Sequence, residues 1–113
     1  MSVTIYHNPR CTTSRKTLAL LREKGVEPQI VEYLKMPYTA AQLKQLLGQL
    51  KMPASKLLRK KEAAAAGIDP SKLSEEQLIA EMVKNPILVE RPIVVSGGKA
   101  ALGRPPEAVL AVL

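Results

Sequence analysis

The spacing of apolar and polar positions changes along the chain, and the changes mark its elements. "SVTIY" at residues 2–6 is a short β-rich run that ends at the polar loop "HNPR", which predicts a first strand. The next stretch, "TTSRKTLALLREKG", predicts a helix. Thr12, Thr13 or Ser14 can cap it, Leu18 and Leu21 fall on one face, and Gly25 is a natural stop. "PQIVEYL" predicts a second strand. Strand, helix and strand within the first 34 residues make a right-handed βαβ unit. Cys11 is then expected at the carboxyl end of the first strand, beside the amino end of the first helix.

The middle of the chain shifts to helical spacing. Thr39 and Gln42 have the separation of a capping box, and Leu43, Leu46, Leu47 and Leu50 follow at helical intervals. Pro53 breaks this helix, and "ASKLLRKKEAAAAG" predicts a shorter one. Ser74 and Gln77 form a second capping-box signature ahead of Leu78, Ile79, Met82 and Val83, with Asn85-Pro86 as the stop. From Pro86 onward "ILVE", "RPIVV", the turn "SGGK" and "AALGR" bring β-branched residues back. A Gly-Gly turn between two such runs predicts a hairpin, and "PPEAVLAVL" predicts a closing helix with proline in its first turn. The order is β-α-β, a helical insertion at about 39–85, then β-β-α. It suits a single α/β domain over residues 1–113, with one mixed sheet and helices on both faces, the thioredoxin-like arrangement.

Composition narrows the classes of function. The chain is 46% hydrophobic but has no Phe or Trp, so Leu, Ile, Val and Ala are expected to form the core. No apolar run approaches the roughly 18 residues of a membrane span. The start lacks a secretory pattern, because "HNPR" follows a short apolar stretch. One cysteine makes no internal disulfide, and one Cys with one His supplies too few soft ligands for a structural zinc. A reduced, cytoplasmic protein without a metal is the expectation. Its formal charge is +7, and residues 1–62 carry 12 Lys/Arg against 4 acids. With no Phe or Trp to stack on bases, this favours a small anionic substrate over nucleic acid.

"YHNPRCTTSRKT" holds the only histidine and the only cysteine within five positions. A thiol at a helix amino terminus faces free N–H donors and the positive end of the helix dipole, and Arg10 and Arg15 add charge nearby. A Pro-containing polar loop favours a reactive thiol over an inert packed one. The spacing excludes a phosphatase-type Cys-x5-Arg loop, because position 17 is Thr, and a Cys-x-x-Cys motif, because position 14 is Ser. Arginines that grip an anion must therefore come from elsewhere, and the candidates are Arg59, Arg91 and Arg104. Arg91 and Arg104 each precede a proline, which restricts the backbone that carries them.

"YHNPRCTTSR", "LLRKKE", "NPILVERPIVV" and "GRPPEAVL", in this order over essentially the whole chain, resemble the glutaredoxin-coupled arsenate reductase family. The resemblance implies a thioredoxin-like fold with a helical insertion and a single cysteine that attacks arsenate. Position by position it implies Cys11 as nucleophile and Arg59, Arg91 and Arg104 as the oxyanion site. It matches His7 and Asn8 to the loop before the cysteine, Ser14 and Arg15 to the "SR" after it, and Pro92 to a cis-proline. It further implies no bound cofactor, with glutathione as co-substrate and glutaredoxin as partner. Arg10 stands where some members carry a small residue. Two other readings remain open: a monothiol glutathione-dependent reductase, suggested by Cys-x-x-Ser, and a thiol-bearing regulator that binds RNA polymerase, a branch that usually carries Cys-x-x-Cys.

Overall fold

The computed structural model describes residues 2–113. The chain folds into two compact units, one formed by residues 2–36 and 91–113, the other by residues 37–90. The first unit is built on a four-stranded sheet of β1 (Val3–His7), β2 (Gln29–Glu32), β3 (Ile93–Ser96) and β4 (Lys99–Leu102). Their order is β2-β1-β3-β4. β1 pairs in parallel with β2, with Ile5 opposite Ile30, and antiparallel with β3, with Ile5 opposite Val94. The β3–β4 hairpin forms as expected. Gly97 and Gly98 both take positive φ, 56° and 81°, which a tight hairpin turn requires and which glycine adopts without steric cost.

Helix α1 spans Thr12–Glu23, and Gly25 at φ 80° closes it. None of Thr12, Thr13 and Ser14 is its cap; Cys11 holds that position in an extended conformation. The second strand is shorter than "PQIVEYL", because the amides of Lys35 and Met36 both turn back to the Glu32 carbonyl and close the strand end. The C-terminal segment Pro106–Val112 is a 3-10 helix and not an α-helix. Ile5, Leu21, Val94 and Val109 form a fully buried cluster, with Leu18 and Leu20 packed against it. Burying side chains of this size contributes about 1.5–3 kcal/mol each. Because Leu21 and Val109 meet the same residues, the two helices of this unit share one face of the sheet. Gly103 then leads from β4 toward "RPP", and its amide donates to the Pro92 carbonyl at 2.9 Å.

The second unit is helical. α2 (Ala40–Leu50) and α5 (Glu75–Lys84) both begin with the expected capping boxes, Thr39 with Gln42 and Ser74 with Gln77. α2 is ended by Lys51 in the left-handed conformation, two residues before Pro53. The stretch expected as one helix forms two, α3 (Ala54–Leu57) and α4 (Lys60–Ala65). The break has a cause: the Arg59 amide donates to the Leu88 carbonyl at 2.7 Å and Leu58 bridges Val89, so the backbone between them is extended. "ILVE" correspondingly supplies that bridge after a 3-10 turn, Pro86–Leu88, and adds no strand to the sheet. α5 packs on α2 and α3 through Leu78, Ile79 and Met82. Buried Tyr33 and Tyr38 and Met82 join the aliphatic residues that the composition singles out for the core. No helix of the described residues is long and apolar enough to cross a membrane.

Candidate active site

The loop after β1 is shaped by Asn8. Its side-chain oxygen accepts the Arg10 amide and its carbonyl accepts the Cys11 amide, each at 3.0 Å. The Cys11 carbonyl in turn accepts the Arg15 amide at 3.0 Å, the first bond of α1. Ser14 lies completely buried behind the loop. Its hydroxyl accepts the Asn8 amide at 3.1 Å and stands 2.6 Å from His7 Nδ1. The serine that looked like a helix cap therefore ties the end of the strand to the first turn of the helix. Arg15 points back over the loop, donating to the Pro9 carbonyl at 2.8 Å and to Thr12 Oγ1 at 3.3 Å. It braces the loop.

Arg91 and Arg104 are brought to Cys11. Arg104 donates through Nε to the Arg91 carbonyl at 2.9 Å, and its Nη2 reaches 3.8 Å from Cys11 Sγ. The Arg91 side chain also acts on the sulfur, while its Nε and Nη1 are buried without a hydrogen-bond partner. The Arg91–Pro92 bond is cis, as expected, and so is Arg104–Pro105, which the sequence did not single out. Burial of the sulfur opposes its ionisation. The Ser14 amide, the Arg91 side chain and its charge, and the Thr13 amide outweigh it and hold the thiol below its ordinary pKa. The helix amides act as aimed dipoles, since no capping bond to the Cys11 side chain closes. His7 is also lowered: burial comes first and Arg15 and Arg22 add to it, against the opposing carboxylate of Glu32. At neutral pH the ring is therefore uncharged and serves as a hydrogen-bond partner of Ser14.

Two residues that the sequence did not flag complete this geometry. A Cβ on Gly103 would stand 2.7 Å from Pro92 Cγ and 2.7 Å from Thr17 Oγ1. Only a glycine lets the strap that carries Arg104 lie this close to Pro92 and to α1. Thr17 is fully buried and donates to the Thr13 carbonyl at 2.9 Å. Its one visible signal was a polar residue one turn from Leu21. Arg59 belongs to the second unit, where its guanidinium meets Glu62 at 2.9 Å and Glu90 at 3.5 Å. No cluster of three or more His, Cys, Asp or Glu that could hold a metal occurs among the described residues.

The profile of the ArsC family matches residues 6–112, a range that contains the loop, the thiol and both arginine-proline pairs. The chain belongs to the ArsC family. It is 55% identical to the uncharacterized protein YfgD of Escherichia coli K12, over 98% of this chain and 96% of YfgD. It is 44% identical to an arsenate reductase of Rhizobium meliloti, over all of this chain and 82% of that protein. The solved structure of an arsenate reductase from Vibrio cholerae superposes with a TM-score of 0.91 at 44% identity, covering 100% of this chain and 98% of that one. The thioredoxin-like α/β architecture is thus shared with ArsC proteins of known structure.

Proposed function

We propose that this protein is an arsenate reductase in which Cys11 is the nucleophile. The observation that carries the reading is the convergence of Arg91 and the Arg104 Nη2 group, 3.8 Å from Sγ, on a thiol held below its ordinary pKa. The Cys11 thiolate attacks the arsenic of arsenate, an arsenate oxygen leaves as water or hydroxide, and the guanidiniums neutralise the remaining oxygens. Arg91 and Arg104 hold the oxyanion. Arg59 is assigned as a third contact from the family pattern. His7, Asn8, Ser14 and Arg15 keep the loop in shape, and Pro92 supports Arg91.

Cys11 is the sole cysteine, so the adduct has no internal exit. Glutathione supplies it: its sulfur bonds to the Cys11 sulfur, and the S–As electron pair passes to arsenic. Pentavalent arsenic becomes trivalent and leaves as arsenite. Glutaredoxin then reduces the Cys11–glutathione disulfide. The relatives named arsenate reductase support this reading, as does the absence of a second thiol. The test is arsenate turnover with glutathione, glutaredoxin and a glutathione-regenerating system. Arsenate alone is expected to give at most one covalent event per Cys11, glutathione to add a single mass increment, and glutaredoxin to restore cycling. Reduction of glutathionylated substrates with arsenate untouched would replace this reading with the monothiol reductase.

A further inference from the structure

The proposed reaction brings two anions to one sulfur in succession, the oxyanion and then the carboxylate-bearing thiol. Arg91 and Arg104 are committed to the first. Arg104 is pinned through Nε to the Arg91 carbonyl, and two of the three Arg91 nitrogens are buried. The arginines of α1 are engaged too. Arg15 holds Pro9 and Thr12, and Arg22 pairs with Glu27 at 3.3 Å. Arg10 is the exception. It is exposed, it directly precedes Cys11, and its guanidinium has no hydrogen bond or ion pair among the described residues.

Its backbone, by contrast, is fixed. The amides of Arg10 and Cys11 are both held by Asn8, so the loop conformation that presents the Arg10 side chain next to Cys11 is fixed. No Asp or Glu occurs between residues 8 and 22 to compensate the charge locally. A guanidinium is built to take a carboxylate in two parallel hydrogen bonds. We infer that Arg10 is a specificity-determining residue that binds a carboxylate of the attacking thiol and so selects glutathione over uncharged thiols. This rests on the glutathione-dependent reading above.

The test bypasses arsenate. Cys11 is converted with dipyridyl disulfide to its neutral pyridyl mixed disulfide, and exchange is followed by the released thiopyridone. In this step the incoming thiolate forms a bond to the Cys11 sulfur, the Cys11–pyridyl S–S bond breaks, and the electron pair leaves on the pyridyl sulfur. Arg10→Ala is expected to slow glutathione about threefold to fivefold, the range of an exposed ion pair, and to leave mercaptoethanol unchanged. The glutathione effect should shrink at high salt. Arg10→Lys should retain part of the selectivity. Lys99→Ala removes the same charge at the opposite end of the sheet, where Lys99 pairs with Ser96 and Ser96 with Val3, and is expected to change neither rate.

Equal slowing of both thiols by Arg10→Ala, no slowing of either, or an equal effect of Lys99→Ala would each overturn the assignment. Wild-type arsenate turnover together with no selectivity in the exchange removes Arg10 and leaves the reductase. Selectivity without arsenate turnover removes the reductase and leaves Arg10.

Discussion

Gly103→Ala perturbs the arrangement of Arg104 without touching any charged group. The added methyl would meet Pro92 Cγ and Thr17 Oγ1 at 2.7 Å and Thr17 Cγ2 at 3.1 Å. Comfortable carbon contacts begin near 3.5 Å, so the strap must retreat by roughly 0.8 Å. Neither neighbour yields easily. Pro92 is a buried ring, and Thr17 is β-branched in a helix with its hydroxyl bonded to the Thr13 carbonyl. A retreat of that size stretches the bond from the Gly103 amide to the Pro92 carbonyl, now 2.9 Å, to about 3.7 Å, past useful length. Overpacking of this kind costs about 1–3 kcal/mol. At the specific entropy of unfolding of a chain this size, that lowers Tm by about 4–12 °C.

The same displacement carries Arg104 away from Sγ, and a misplacement approaching 1 Å costs on the order of 10²-fold in rate. Thermal unfolding by circular dichroism and kcat/KM for arsenate in the coupled assay read the two effects. Thr17→Ala removes both Thr17 atoms that the new methyl would strike. In the double variant the losses should therefore be smaller than the sum of the single ones. A Gly103→Ala protein with unchanged Tm and unchanged turnover, or strict additivity with Thr17→Ala, would sink the argument.

Three other outcomes follow from the site. The rate of Cys11 alkylation against pH should show a midpoint below the free-thiol value of about 8.5, and Arg91→Ala should move it upward; a wild-type midpoint at or above that value removes the basis for the nucleophile. Arg91→Ala and Arg104→Ala should each lose most arsenate turnover, with Lys at either position rescuing it incompletely because an ammonium lacks the planar fork; full activity in Arg104→Ala excludes that residue. His7 is a base whose folded pKa is lowered, so the unfolded chain takes up its proton first, and the stability present above about pH 6.5 should be lost as pH falls through the folded pKa. His7→Gln should flatten this part of a denaturation-against-pH curve, and an unaltered slope contradicts a buried neutral ring.

Much of the architecture is local in origin and was therefore legible in the chain. The two capping boxes, the Gly97-Gly98 hairpin and the Gly25 stop depend on residues a few positions apart, whose preferences act before any tertiary contact forms. Cys11 could be placed at a helix amino terminus for the same reason, and its two arginine partners could be named as candidates because each precedes a proline. Where neighbours in space compete with neighbours in sequence, local reading failed. "ASKLLRKKEAAAAG" has the propensity of one helix, but Leu88 and Val89 claim the backbone at Leu58 and Arg59 and split it. Ser14 has the chemistry of a cap, yet the buried His7 and Asn8 amide recruit its hydroxyl, leaving the cap position to the cysteine. That Arg91 and Arg104 meet at one sulfur, and that position 103 has no room for a Cβ against Thr17, depends on surfaces 80 or more positions apart in the chain. No propensity encodes such a contact: it is decided when the sheet and α1 close on each other, because close packing makes a difference of one methyl group matter.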